Sequence, residues 1–336
     1  MCKDKNLTTN LFLKNNLPIK LILFFICFGC ENLNQKQIKI NSQKIKIKIE
    51  RFDRVFDTLN EYNISKIKQK YSFLFPSNYK DSFWIKKSND TIYELLVSEV
   101  NNKFEKIDNT ENKISQLLKH IKYEFNEIEV PRVISIINNV DYGNRLILND
   151  TLLLISIDSY LGFDNKLYYG IPNFIKKTMD INYISSDIAE KYSQKLISKP
   201  SNRDFLSKMI YYGKQLYFKD IVMPYENDEI KIGYLEEEIK WVKENELFIW
   251  QYMIEKQILY NTDQSLEDRF LLPSPFTKFY LEIDNDSPSR IGQWIGWQIV
   301  KSFSKQFPDY GLNKILKVPE HEIFKKSKYK PRRIWQ

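Results

Sequence analysis

Arg132-Val-Ile-Ser-Ile-Ile137, Arg145-Leu-Ile-Leu148 and Thr151-Leu-Leu-Leu-Ile-Ser-Ile157 are short β-rich runs in a chain whose other apolar residues recur mostly at helical spacing. Asn138-Asn139 and Asn149-Asp150 separate them, and short polar side chains of this kind favour turns by bonding to their own backbone. A sheet is predicted here. Upstream, Asp57 to about Lys70 and Asp90 to about Lys122 read as helices, the second marked by Ile92, Leu95, Leu96 and Val100, then Ile114, Leu117, Leu118 and Ile121. Between them Phe73, Phe75, Pro76, Phe83 and Trp84 form an aromatic connector expected to anchor the core. Still earlier, Ile45, Ile47 and Ile49 alternate with Lys44, Lys46, Lys48 and Glu50, which predicts a strand with one face in water.

Downstream of Tyr160 the pattern is helical, roughly over Tyr183–Ser198, Asn202–Asp220, Leu235–Tyr260 and Pro288–Gln306. Leu235, Ile239, Val242, Ile249 and Met253 mark the buried stripe of the third helix. In the fourth, Ser287 suits an N-cap and Pro288 the first helical position, while Gly292 and Gly296 leave room for another backbone. These elements predict one α+β domain over 44–324, with a sheet-containing half at 44–160 and a helical half at 161–324. The 336 residues, 43% apolar and 28% charged with 9 Gly and 12 Pro, exclude general disorder and collagen-like chains.

Lys3, Lys5, Lys14 and Lys20 precede the apolar run Leu21–Phe28, which is the length of the apolar core of a secretory signal and too short to span a bilayer. It ends in Ile26-Cys-Phe-Gly-Cys30, a small residue before a cysteine, so residues 1–29 read as a lipoprotein signal peptide and Cys30 as the lipidated first mature residue. An ordinary secreted protein with an incidental Cys30, or an uncleaved anchor, is the alternative. Removing 1–29 takes four Lys and one Asp, and the formal charge of +8 becomes +5. Residues 30–43 read as a lipidated tether and 325–336 as a basic, solvated tail; its lysines and arginines could alternatively meet phosphates or anionic lipid head groups. Behind a secretory signal, nucleic acid is not an expected partner.

The catalytic inventory is poor. His120 and His321 are the two histidines, and Cys30 is the one cysteine left after cleavage, so a zinc site would need mostly carboxylates. His321-Glu322 fails as His-Glu-x-x-His because Lys325 stands where the second histidine belongs. Gly-x-Ser-x-Gly does not occur, and Gly213-Lys214 lacks the upstream glycine of a phosphate loop. Asp284 and Asp286 could pair as in a glycosidase, but with 43 acidic residues such pairs arise by chance. No cofactor is expected.

The segments Ile136-Ile-Asn-Asn-Val-Asp-Tyr-Gly-Asn-Arg145, Leu152–Gly162, Met209–Tyr217, Lys278–Asp286, Arg290-Ile-Gly-Gln-Trp-Ile-Gly-Trp-Gln-Ile-Val300 and Ile323–Lys330 resemble the GldB family of gliding-motility lipoproteins of Bacteroidetes. The resemblance implies a membrane-attached, periplasm-facing component required for gliding, working with other gliding and secretion proteins of the envelope. A remoter likeness is to predicted zinc peptidases of zincin-like fold. Aligned on Asp187-Ile-Ala-Glu-Lys-Tyr-Ser193, it puts Ala189 and Ser193 where that family has histidines, retains Glu190, and puts Tyr212 at the third ligand. This implies a degenerate metal site. The expectation is a non-catalytic scaffold or binding protein, with Asp141, Tyr142, Arg145, Asp158, Tyr160, Asp284, Arg290 and Trp294 around its binding surface; alternatively these residues are buried pairs that fix the fold. A divergent zinc metallopeptidase and a glycan- or peptidoglycan-binding protein are the rival readings.

Overall fold

The computed structural model describes residues 35–200 and 202–331. Among the described residues, those up to Lys44 and those from Ile45 to 331 fall in two separate compact units. In the first, residues 35–41 are helical, so the expected tether contains a helical stretch. Cys30, Arg332 and Arg333 lie outside the described residues.

The second unit begins with strand β1 (Ile49–Arg51). Helices α1 (Phe52–Asp57), α2 (Ile64–Lys70), α3 (Asp81–Ser88), α4 (Thr91–Lys103) and α5 (Asp108–Glu124) follow, then strands β2 (Arg132–Ile136), β3 (Leu146–Leu148) and β4 (Leu152–Ser156). The sheet order is β1-β2-β4-β3, parallel except for β3 against β4. Central β2 and β4 bury Val133, Ile134, Leu153, Leu154 and Ile155, the near-continuous apolar runs of strands covered on both faces. Strands β2, β3 and β4 each fall within a residue of their predicted runs. The Asn149-Asp150 turn also forms, with Asn149 Oδ1 accepting from the backbone N–H groups of Thr151 and Leu152 at 3.0 and 2.8 Å.

The alternating isoleucines behave as predicted, with Ile47 and Ile49 buried and Lys46 and Lys48 exposed. Only the end of the run pairs as a strand, because its other N–H groups turn to α5. Ile47 N donates to Ser115 Oγ and Ile49 N to Glu111 Oε1, each at 2.9 Å, which protects this sheet edge.

Three predicted helices are interrupted, each for a local reason. Asp57–Lys70 breaks because Asn60 and Asn63 fold a turn onto Thr58 O, competing with helical bonds. Asp90–Lys122 breaks at Phe104, which is fully buried and whose carbonyl accepts from Arg51 and Arg54. The buried face of α4 is Tyr93, Leu96, Val97 and Val100; Ile92 and Leu95, expected on it, are exposed. Leu235–Tyr260 divides at Asn245, whose side-chain amide donates to Trp241 O at 2.9 Å. Leu235 is exposed at its start, whereas Ile239, Val242, Ile249 and Met253 are buried. In the aromatic connector Phe75 and Trp84 are core residues with ring centres 5.1 Å apart, while Phe73 and Phe83 remain substantially exposed.

The helical half comprises α6 (Asn173–Lys176), α7 (Ile184–Leu196), α8 (Phe205–Val222), α9 (Asp228–Ile232), α10 (Glu236–Glu244), α11 (Glu246–Glu255), α12 (Ser265–Phe270), α13 (Ile291–Gln306), α14 (Leu312–Lys317) and α15 (Glu320–Ser327). Helix α13 starts three residues later than Pro288. Ser287 does not cap it, because its hydroxyl donates to Thr277 O and Asp284 O in the preceding turn. Arg290 occupies the cap position instead. The two-glycine expectation holds at Gly296: a Cβ there would lie 1.9 Å from Met209 O, and one at Gly213 would lie 2.3 Å from Gly296 C. Helices α8 and α13 therefore touch backbone to backbone, with Trp294, Ile295 and Trp297 buried around the crossing. The buried Lys214 ammonium binds Val318 O and Glu320 Oε1 at 2.8 and 2.6 Å, tying the C-terminal helices to α8. Packing continues past Phe324, since Ser327 is buried and Tyr329 lies edge-on against Trp250.

Candidate functional site

A cleft of about 330 Å³ opens where the loop before β3, helices α6 to α9 and the segment before α13 meet. The loop supplies Tyr142 and Arg145, α7 supplies Ser186, Asp187, Glu190 and Lys191, α8 supplies Lys219, α9 supplies Lys231, and Arg290 closes the ring. Positions 186, 187, 190 and 191 share one side of α7 because they lie three and four residues apart.

Two ionic constructions form its floor. The Arg145 guanidinium meets Asp187 through both arms, at 2.9 and 3.0 Å, and also donates to Thr178. Tyr160, beneath the cleft and fully buried, donates its hydroxyl to Asp187 at 2.9 Å. Burial pushes the Asp187 carboxyl above its ordinary pKa, and the Arg145 charge only partly restrains it. The second construction centres on Lys219, whose ammonium donates to Ser186 Oγ, Glu190 Oε2 and Lys231 O at 3.1, 3.2 and 2.9 Å. Burial acts upward on Glu190 as well, but Lys219, Arg145 and Arg290 outweigh it and hold this carboxyl below its ordinary range. Lys231 is matched by Asp220 at 2.9 Å, which in turn accepts from Trp297 Nε1 at 2.7 Å.

Arg290 is held differently. Its backbone is left-handed, φ 62°, and its guanidinium donates to Gly233 O at 3.0 Å and lies over the Tyr234 ring. Gly233 is itself left-handed and ends α9, and a Cβ there would come within 3.0 Å of Thr178 and 3.3 Å of Arg290. The glycine thus lets its carbonyl reach the arginine.

The model describing the gliding motility protein GldB matches residues 33–331. The chain belongs to the GldB family. No curated protein and no solved structure gives a match. In this GldB-family chain, Tyr142, Arg145, Glu190 and Arg290 line the cleft and Tyr160 supports it from below. Asp141 is exposed and accepts from Asn144 within its own loop. Asp284 lies outside the cleft and binds the backbone N–H groups of Phe279, Tyr280 and Leu281. Trp294 is a core residue beside Trp297. Ala189 and Ser193 are fully buried and do not line the cleft, with Ser193 Oγ donating to Glu190 O. Tyr212 packs against Tyr211. Among the described residues, no group of three or more His, Cys, Asp or Glu side chains converges to hold a metal, and no helix is long and apolar enough to cross a membrane.

Asp187, Lys219 and Lys231 were not singled out by sequence reasoning. A signal for Lys219 existed: it interrupts Leu216-Tyr-Phe-Lys-Asp-Ile-Val222, where a cation needs a partner to be buried.

Asp158 is fully buried, does not line the cleft, and holds the loop that leads to Tyr142. It accepts from Val140 N at 2.7 Å and from Asn138 N at 3.2 Å, pinning Asn139 and Val140 in left-handed backbone, φ 61° and 58°. A β-branched residue rarely adopts that conformation. Burial raises the Asp158 carboxyl from 3.8 to about 6 against the pull of those two N–H groups. Because the folded value is the higher one, the stabilisation is present below 3.8 and is lost as pH rises through about 6. Relative to Asp158→Asn, the wild type should therefore lose about 2–3 kcal/mol between pH 4 and pH 7. Urea midpoints of both proteins across that range test this, and a pH-independent difference would contradict it.

Proposed function

We propose that the chain is a lipid-anchored, periplasm-facing component of the gliding machinery, a non-catalytic scaffold on a degenerate, zincin-like metallopeptidase fold whose cleft binds and does not convert its ligand. Membership of the GldB family supports the gliding role, and Gly29-Cys30 at the end of a short apolar run supports acylation.

The observation that carries the non-catalytic reading is the place of Lys219. Ser186 and Glu190 are four apart on the cleft side of α7, the spacing at which two side chains can share a metal, and the Lys219 ammonium bonds to both. A second cation there would face the like charge of the buried Lys219 ammonium. Ala189 and Ser193, the positions aligned with histidines, offer no imidazole and are fully buried. The residues present do not fit a catalytic zinc.

Three measurements test this reading. Cells lacking the protein should not glide, and Cys30→Ser should lose acyl labelling and fail to restore gliding. A photo-crosslinker at Tyr142 should capture another envelope protein. Purified protein binding about one zinc per chain, with chelator-sensitive peptidase activity, would overturn the scaffold reading.

A further inference from the structure

We propose that the cleft takes a ligand bearing a single carboxylate next to an apolar group, and that Arg290 is the residue that recognises the carboxylate. The inference rests on the reading of the cleft as a binding site and names the chemistry of its ligand.

Three features of the cleft single out Arg290. Three of the other cations that line the cleft have carboxylate partners, Arg145 with Asp187, Lys219 with Glu190 and Lys231 with Asp220, and Lys191 lines it as well. Arg290 has a backbone oxygen and a ring, and its Nε is buried without a hydrogen-bond partner. A buried N–H left unpaired costs about 1–3 kcal/mol, so it calls for a reason.

The second feature is the strained backbone. Arg290 is a non-glycine residue in left-handed conformation at the edge of a cavity, and such strain concentrates where a side chain must be aimed at a ligand. Surrounding contacts hold it there: the Tyr234 hydroxyl donates to Ser289 O next door, and the Gly233 carbonyl takes one guanidinium arm.

The third is the balance of charge and apolar surface. Phe174, Ile175 and Pro273 line the same cleft, giving an apolar wall beside the guanidinium. Lys177, bound to Glu238 at 2.7 Å, has its pKa lowered by burial first and then by the Arg290 charge, against the pull of Glu238. The Asp187 and Glu190 carboxylates also line the cleft, so a dianionic phosphate would meet about twice the repulsion that a monoanionic carboxylate meets. The volume, about 330 Å³, suits a small ligand or one chain terminus.

The test uses full-length protein in detergent and three probes: N-acetylphenylalanine, its uncharged amide and phenyl phosphate. Calorimetry should show saturable binding of the carboxylate, at least about tenfold weaker binding of the amide, and no preference for the phosphate. Arg290→Gln should weaken the carboxylate by about tenfold or more, with Arg290→Lys in between. As a measurement independent of any variant's folding, N-acetylphenylalanine should slow phenylglyoxal modification of Arg290 in the wild type. Equal binding of the amide, preference for phenyl phosphate, no saturation, or an unprotected Arg290 would each overturn the proposal. Gliding does not enter these readouts, so the ligand inference and the gliding role can fail separately.

Discussion

Gly296→Ala is expected to destabilise the domain by about 3 kcal/mol or more, and Gly296→Val to prevent folding. On helix propensity alone the alanine should help by about 1 kcal/mol, since glycine is the poorer helix former. The crossing reverses the sign. A Cβ on Gly296 would lie 1.9 Å from the Met209 carbonyl oxygen and 2.5 Å from its carbon, and these are backbone atoms of α8 that no rotamer change can remove. The helices would have to separate, loosening the contacts around Trp294, Ile295, Trp297 and Ile210, all buried. Gly213→Ala should behave similarly, because its Cβ meets Gly296 C and O at 2.3 Å. Gly311→Ala is the control: no atom lies within 4 Å, and the cost should stay near the roughly 1 kcal/mol of a weaker N-cap. Urea unfolding followed by tryptophan fluorescence reads all three. A Gly296→Ala stability equal to wild type would show that the crossing can open without penalty.

Much of this architecture was legible in the residue pattern, and the failures share a cause. The β-rich runs were found because Val133-Ile134 and Leu153-Leu154-Ile155 are apolar without interruption and bounded by asparagine turns, signals that are local in sequence. Helix breaks at Asn60, Phe104 and Asn245 were missed because each is decided by a side chain or carbonyl that finds a partner the periodicity does not reveal. Ile92 and Leu95 fit an apolar stripe as well as Tyr93 and Val97 do, and only the neighbours decide which face is covered. The cleft shows the same division. Tyr142, Arg145, Glu190 and Arg290 were candidates from the sequence, yet the relation of Arg145 to Asp187 spans 42 positions and that of Lys219 to Ser186 spans 33. Such pairings depend on tertiary contacts, which is also why Asp284 and Trp294, equally polar or aromatic on paper, serve a turn and the core.

Arg145→Met is expected to cost about 3–5 kcal/mol near pH 8, because it leaves Asp187 as a buried carboxylate without its counter-charge. Asp187 keeps the Tyr160 hydroxyl at 2.9 Å, but one hydrogen bond does not replace two arms of a guanidinium. The pH dependence separates lost charge compensation from lost packing. Burial already raises the folded pKa of Asp187 above its ordinary 3.8, and removing Arg145 removes the main group opposing that rise. A raised folded pKa means that the protonated form is favoured on folding. Its stabilising contribution is complete below 3.8 and disappears as pH climbs through the folded value. The deficit of Arg145→Met should therefore shrink toward pH 5 and widen toward pH 8. Adding Asp187→Asn should recover most of the loss at pH 8, since an amide carries no charge to compensate and still accepts from Tyr160. Urea midpoints at the two pH values for the single and double variants provide the measurement. If the deficit were the same at both and Asp187→Asn gave no rescue, the arginine would be acting as packing for Tyr160 and Thr178, and the cleft floor would not depend on a compensated carboxylate.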